Sequence, residues 1–268
     1  MADKLPPIEM PQAKTLTVAP SKASARLKSL EDTHFYAKGL VYGMPGSGKT
    51  YAVCRAPQPL LLIISDWAVA RPTILRVRKE YGIDPDVIEV NSWSDYMEAY
   101  KYASAHASEY ACISVDGISD MNERIGNEIL TDAIAYASKS DRKTHDPDAL
   151  EMGDWNKVGN RTIYSVRLFR DLPCHVLFTA LENEINMLLC PMVQPKSLLR
   201  KFPSYFNLVG HLVCEEQPKK ASKRILQLDS SYNYMAKNPG GALPSSIEDP
   251  DFSVIIPQIV DFLATGGG

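Results

Sequence analysis

A short apolar run, Gly39–Tyr42, leads directly into the octapeptide GMPGSGKT, which fits the pattern G-x-x-x-x-G-K-[ST] at every position. In such a loop the glycines let the backbone turn its N–H groups towards a phosphate, and the following helix contributes its positive end. Lys49 can reach the β- and γ-phosphates of a nucleotide, and the Thr50 hydroxyl can bind Mg²⁺. A strand, phosphate-binding loop and helix in this order indicate an α/β fold. The predicted nucleotide contacts are Gly43, Met44, Pro45, Gly46, Ser47, Gly48, Lys49, Thr50 and Tyr51.

A loop of this kind works with an acidic residue at the end of a neighbouring strand, beside the metal ion. The segment Tyr110–Val115 has strand character and is followed directly by Asp116. We therefore expect Asp116 to hold Mg²⁺ together with Thr50, its carboxylate acting through a water molecule. The alternative interpretation is an ordinary aspartate in the turn after a strand.

ATP hydrolysis also needs a group that activates or orients water, and two acidic residues follow predicted strands. Asp66 closes the strand Leu60–Ser65, and parallel sheets bind ligands at the carboxyl ends of their strands. Glu182 follows the strand His175–Thr179, in which Thr179 is a candidate sensor of the γ-phosphate. Each acid could equally be a solvated residue at a strand end.

Apolar runs alternate with helical patterns along most of the chain, which predicts a mostly parallel sheet flanked by helices. In the last third the strands follow one another closely, which suggests antiparallel additions near the C-terminus. Residues 1–33 lack a clear period and are predicted to be an arm or flexible segment, whereas residues 34–268 form the P-loop domain. The predicted strands are Gly39–Tyr42, Leu60–Ser65, Val87–Val90, Tyr110–Val115, His175–Thr179, Val209–Cys214 and Ile225–Leu228.

The composition argues against several classes of protein. Apolar residues make up 45% and charged residues 23% of the 268 residues, which is ordinary for a globular protein. No apolar run is long enough to cross a bilayer, and the N-terminus lacks the apolar stretch of a signal peptide, so we expect a cytoplasmic location. The five cysteines form no CxxC pair, which argues against a disulfide or zinc framework. With a net charge of −3, nucleic-acid binding would need a local basic patch.

The order of these motifs resembles that of phage P-loop ATPases with a RecA-like core, a group that includes the RecA-like single-strand annealing proteins of phage recombination. The loop and the two strands that end before Asp66 and Asp116 carry part of the resemblance, and two later segments are its more specific signals, GDWNKVGN…RDLPCHVLFTALE and AKNPGGALP. The resemblance implies a RecA-like sheet, in which the strand His175–Thr179 lies between Gly39–Tyr42 and Tyr110–Val115. It also implies assembly into rings or filaments, with ATP and Mg²⁺ at the interface between subunits.

In such assemblies a neighbouring subunit supplies a cation that offsets the charge of the transition state. By resemblance the candidate is Lys237, with Lys223 and Arg224 behind it, and a solvated lysine before a turn is the alternative. Two positions depart from the relatives. The chain has Ser65–Trp67 where relatives often carry Asp-x-Glu, and Pro239 where they often carry arginine. Either departure could mean slow hydrolysis.

By the same resemblance, two segments would face nucleic acid, Ser138–Asp154 and Asn186–Pro203. Basic residues bind phosphates and aromatic rings stack on bases, and Phe202 and Tyr205 lie close to the second basic group. A solvated surface loop that happens to hold lysines is the alternative. The candidate DNA-binding residues are Lys139, Arg142, Lys143, Lys196, Arg200 and Lys201.

Two functions remain open from the sequence. The first is a Mg-dependent ATPase, with slow turnover a possibility, that acts on single-stranded DNA in phage recombination, annealing or replication. The second is a nucleotide-gated oligomer that recruits recombination or replication proteins of phage or host, with little hydrolysis and no direct DNA contact. Neither involves a membrane. A small-molecule kinase is disfavoured, because no arginine-rich lid or acceptor site is evident.

Overall fold

The computed structural model describes residues 34–139, 146, 148–216 and 222–265, apart from the side chains of residues 138 and 139. The predicted N-terminal arm, residues 1–33, lies outside the described residues. The elements, in chain order, are β1 (Lys38–Gly43), α1 (Lys49–Cys54), β2 (Leu60–Ile64), α2 (Trp67–Tyr81), β3 (Asp86–Glu89), α3 (Trp93–Ala105), β4 (Cys112–Asp116), α4 (Ile118–Lys139), α5 (Met152–Arg170), β5 (His175–Ile185), β6 (Leu188–Pro191), β7 (Leu208–Glu215), β8 (Lys223–Gln227), β9 (Ser246–Glu248) and α6 (Phe252–Ala264).

Within the described residues, the strands form a sheet in the order β3-β2-β4-β5-β1-β7-β8-β9, and β6 pairs with the end of β5. Every pairing from β3 to β7 is parallel, and β8 and β9 are added antiparallel. The predicted α/β class, with antiparallel additions near the C-terminus, is confirmed. The expected place of β5, between β1 and β4, is confirmed by its register with both strands.

Helices cover both faces of this sheet, because the central strands are apolar on both sides. In β1, Leu40 and Tyr42 belong to one buried cluster, which also contains side chains of α3, α4 and α5. Val41, between them, points to the opposite face and belongs to a second cluster with side chains of α1, α2 and α6. The phosphate-binding loop is therefore anchored to a strand that is buried on both faces.

Two features of the chain's second half differ from the prediction. Strand β5 continues past the parallel sheet to Ile185 and forms a hairpin with β6, so Glu182 lies within a strand rather than after one. The segment Asn186–Pro203 would be an irregular surface loop if it faced nucleic acid as expected, but it contains β6 and one 3₁₀ turn, and a second 3₁₀ turn, Phe202–Tyr205, begins at its end. Among the described helices, none is both long and apolar enough to cross a membrane.

Candidate nucleotide-binding site

The loop between β1 and α1 adopts a backbone that depends on its glycines. Gly46 and Gly48 have φ angles of +79° and +97°, in the left-handed region that other residues rarely enter. A Cβ atom at Gly43 would lie 2.2 Å from the carbonyl oxygen of Leu212, so the loop also needs glycine for its close approach to β7. The Ser47 hydroxyl is buried and has no hydrogen-bond partner in the protein. A hydroxyl in that position is available to a ligand of the loop.

Lys49 begins helix α1, and its side chain folds back over the loop. Its ammonium group donates hydrogen bonds to the carbonyl oxygens of Gly43, at 2.9 Å, and of Met44, at 2.8 Å. Burial lowers the pKa of Lys49 below its ordinary value, and the nearby carboxylates of Asp116 and Glu182 partly oppose this shift. The ammonium group therefore lies over the loop, where it would face the negative charge of a nucleotide's phosphates.

Three side chains meet where the carboxyl end of β4 and the middle of β5 face the first turn of α1. The Thr50 hydroxyl of α1 donates to Oδ2 of Asp116 at 2.7 Å, and the Thr179 hydroxyl of β5 donates to the other carboxylate oxygen. The backbone N–H of Gly117 in turn donates to Thr179, at 2.9 Å. The structure thus brings together the residues that the sequence assigned to the metal and the γ-phosphate. They line a cavity of about 390 Å³ together with Lys49.

This donor set fits Mg²⁺. Magnesium takes oxygen ligands and is usually bound by one or two protein groups plus the phosphates of a substrate. Thr50 and Asp116 supply a hydroxyl and a carboxylate at the loop, and within the described residues no cluster of three acidic, histidine or cysteine side chains offers a complete protein cage. Thr50 and Asp116 would hold the ion, which would offset the negative charge of the nucleotide's phosphates.

Asp66 lies in the same cavity but has a structural task. Its carboxylate accepts a hydrogen bond from the Val69 N–H at 3.1 Å and so caps the first turn of α2. The side chain is exposed. A carboxylate that is used as a cap in this way can still contact water, but its position is set by the helix rather than by the nucleotide.

Glu182, the second candidate for water activation, pairs with a histidine that sequence reasoning missed. Its Oε2 atom lies 2.8 Å from Nε2 of His211, which is 2% exposed. The other ring nitrogen of His211 lies 2.8 Å from Oε1 of Gln227, and the ring stacks on Tyr42 with centroids 4.9 Å apart. This pair connects β5 to β7 across β1. Only the strand order brings the two residues together, so no local motif in the sequence could have predicted this pair.

Lys237 lies away from the phosphate-binding loop of its own chain. Its ammonium group donates to the carbonyl oxygen of Phe206 at 2.8 Å, just before β7 begins, and its backbone pairs with Val209. The next residue, Asn207, bonds to Lys38 at the start of β1, whereas the loop follows the other end of that strand. Because Lys237 is exposed and lies at the end of β1 opposite the loop, a role at the nucleotide would require a neighbouring subunit.

The predicted DNA-binding residues fall into two groups. Lys196, Arg200 and Lys201 are exposed between β6 and β7. The expected base-stacking role of Phe202 and Tyr205 is wrong, because both rings are buried in the core, at 0% and 7% exposure. The side chain of Lys139 lies outside the described residues, as do Arg142 and Lys143 entirely.

Comparison with known proteins agrees with this geometry. A family model described as an AAA domain matches residues 36–239, well over half of the chain. The chain belongs to this AAA family of P-loop ATPases. The match includes the phosphate-binding loop, Asp116 and Thr179, and it ends two residues after Lys237. A search of curated proteins found no match.

Proposed function

We propose that this AAA domain binds ATP with Mg²⁺ and hydrolyses it, and that it acts on single-stranded DNA in phage recombination, annealing or replication. The observation that carries the nucleotide part is the convergence of Lys49, Thr50, Asp116 and Thr179 in one cavity. Lys49 offsets phosphate charge, Thr50 and Asp116 hold the metal, and Thr179 donates to the γ-phosphate or to Asp116, depending on which is present.

The DNA part is supported by three exposed cations that lie close together in the sequence, Lys196, Arg200 and Lys201. Binding through such residues releases counterions, so it should be modest and sensitive to salt. Assembly into a ring or filament would add the patches of several subunits together and raise the apparent affinity.

One experiment tests both parts. ATP turnover is measured at several Mg²⁺ concentrations, with and without single-stranded DNA at low salt, for the wild type, Lys49→Ala and the matched control Lys79→Ala, an exposed lysine on α2. We expect turnover that requires Mg²⁺, is stimulated by DNA, is lost in Lys49→Ala and is unchanged in Lys79→Ala. Normal turnover by Lys49→Ala would refute the assigned site, and the absence of stimulation by DNA would refute the DNA role.

A second candidate function is a nucleotide-gated interaction protein with little hydrolysis. It is favoured because both candidate bases already have partners within the protein: Asp66 caps a helix, and Glu182 is paired with His211. Size-exclusion chromatography with and without ATP, together with a DNA-binding assay, separates the two functions. Assembly on ATP without turnover or DNA binding would establish the second.

A further inference from the structure

Arg224 of β8 lies against the phosphate-binding loop of its own chain. From the sequence it is only a further candidate, after Lys237, for the cation that a neighbouring subunit supplies. A Cβ atom at Gly48 would lie 2.4 Å from Nε and 2.7 Å from Cδ of Arg224. The guanidinium carbon lies 4.9 Å from the centre of the Tyr51 ring, on the helix that follows the loop. The antiparallel β7–β8 hairpin therefore delivers a cation to the loop within the same chain.

Arg224 lacks the partners that the neighbouring arginines have. Arg55 pairs with Asp249 and Arg76 pairs with Glu80, and both also lie over the Tyr51 ring. Nε of Arg224 is buried without a hydrogen-bond partner, as is Nε of Arg55. Unlike Arg55 and Arg76, however, the guanidinium of Arg224 forms no ion pair with any described residue. A buried donor without a partner is rare in proteins and calls for an explanation.

A second, smaller cavity, of about 230 Å³, supplies the explanation. Arg224, Arg76 and Tyr51 line it, and it shares Lys49 and Thr50 with the cavity that contains Asp116. Because the Asp116 side holds the metal and the terminal phosphates in the proposed function, the rest of the nucleotide must extend to the other side of the loop. That side is the cavity beside Arg224.

We propose that Arg224 is a nucleotide-binding residue that acts in cis, with its guanidinium paired to the α-phosphate of the nucleotide whose nucleoside enters the cavity beside Tyr51 and Arg76. The planar fork of arginine suits two parallel hydrogen bonds to phosphate oxygens. The proposal rests on the proposed function of the loop and gives the β7–β8 hairpin a direct part in binding.

Calorimetric titration with ADP tests the proposal without relying on turnover. Arg224→Gln keeps much of the side chain's length but removes the charge, and we expect it to weaken ADP binding about tenfold or more and to flatten the salt dependence. Arg224→Lys keeps the charge but loses the planar guanidinium, and its affinity for ADP should lie between those of the wild type and Arg224→Gln. Arg78→Gln, which removes an exposed arginine of α2 that pairs with Asp84, is the matched control and should bind as the wild type does.

The outcomes of this experiment are distinct. Thermal unfolding without nucleotide shows whether each variant is folded, and if Arg224→Gln is not, Arg224→Lys decides the question. Wild-type affinity for ADP in the folded variant would overturn the role of Arg224, even if Lys49→Ala has lost binding. Failure of the wild-type chain to bind either ATP or ADP would instead refute the proposed function.

Discussion

Asp116 accepts hydrogen bonds from two threonines, and this arrangement makes its role testable by a small change. Asp116→Asn keeps the shape but loses the negative charge, and the threonine hydroxyls can rotate to suit an amide. We expect the Mg²⁺ concentration for half-maximal ATP turnover to rise about tenfold or more, because contacts to charged groups contribute about 1.5–3 kcal/mol. A magnesium titration of turnover measures this.

The matched control for Asp116→Asn is Asp120→Asn, which changes an acid of α4 that lines the same cavity and pairs with Arg124 at 2.7 Å. It should leave the magnesium titration unchanged. If both variants respond to Mg²⁺ as the wild type does, Asp116 is not a metal ligand, and the threonine contacts are only structural.

At the residue scale, sequence could predict what depends on local motifs and strand ends. Lys49 and Thr50 lie in a contiguous motif, and Asp116 and Thr179 meet them because parallel strands present their carboxyl ends at one edge of the sheet. The contact of Arg224 with Gly48 depends on the path of a distant hairpin, which no spacing in the sequence encodes.

Among the elements, the packing of β1 against β7 depends on Gly43. A Cβ atom there would lie 2.2 Å from a backbone oxygen, that of Leu212, which cannot move without disturbing the pairing of the two strands. We expect Gly43→Ala to lower the free energy of unfolding by about 1–3 kcal/mol, as overpacking does. Urea unfolding measures the change. Gly153→Ala is the control, since a Cβ atom at Gly153 would enter open space, and equal stability of the two variants would contradict the prediction.

The elements that sequence missed share a physical cause. The end of β5 is polar, with Glu182, Asn183 and Glu184 in succession, so its continuation into a hairpin gives no apolar signal. Helix α6 went unpredicted, and Pro257 in its interior is a residue that argues against a helix. In contrast, β1, β2 and β4 were predicted, because strands buried on both faces must be continuously apolar.

Buried thiols should make the stability of the whole molecule fall at alkaline pH. Burial raises the pKa of Cys112, in the central strand β4, above its usual value of 9.0. Above about pH 9 the thiol therefore ionises only in the unfolded chain. Its contribution to the free energy of unfolding is fully present below that pH and falls by about 1.4 kcal/mol per pH unit above it, for each such thiol. Burial lowers the pKa of Lys38 to about 8, so above that pH the unfolded chain binds more protons at Lys38 and stability rises with pH. Because this rise opposes the effect of the thiol, the test compares variants with and without Cys112.

Urea unfolding of the wild type and of Cys112→Ala, with reductant at about pH 8 and about pH 10, isolates this effect. The Ala variant should be less stable at the lower pH because of the cavity, but its stability should fall less as the pH rises. Cys214→Ala, which removes an exposed thiol, is the matched control. Parallel falls in the wild type and Cys112→Ala would contradict the prediction.

The assembly of subunits decides whether Lys237 can take part in catalysis. Because Lys237 bonds to Phe206 at the end of β1 opposite the loop, a catalytic role for Lys237 requires a neighbouring subunit. Lys49→Ala and Lys237→Ala should then each be inactive alone, yet a mixture should recover turnover. In an equal mixture of head-to-tail subunits, about a quarter of the interfaces join an intact Lys49 to an intact Lys237. An inactive mixture, or full activity of Lys237→Ala alone, would exclude a cation supplied in trans.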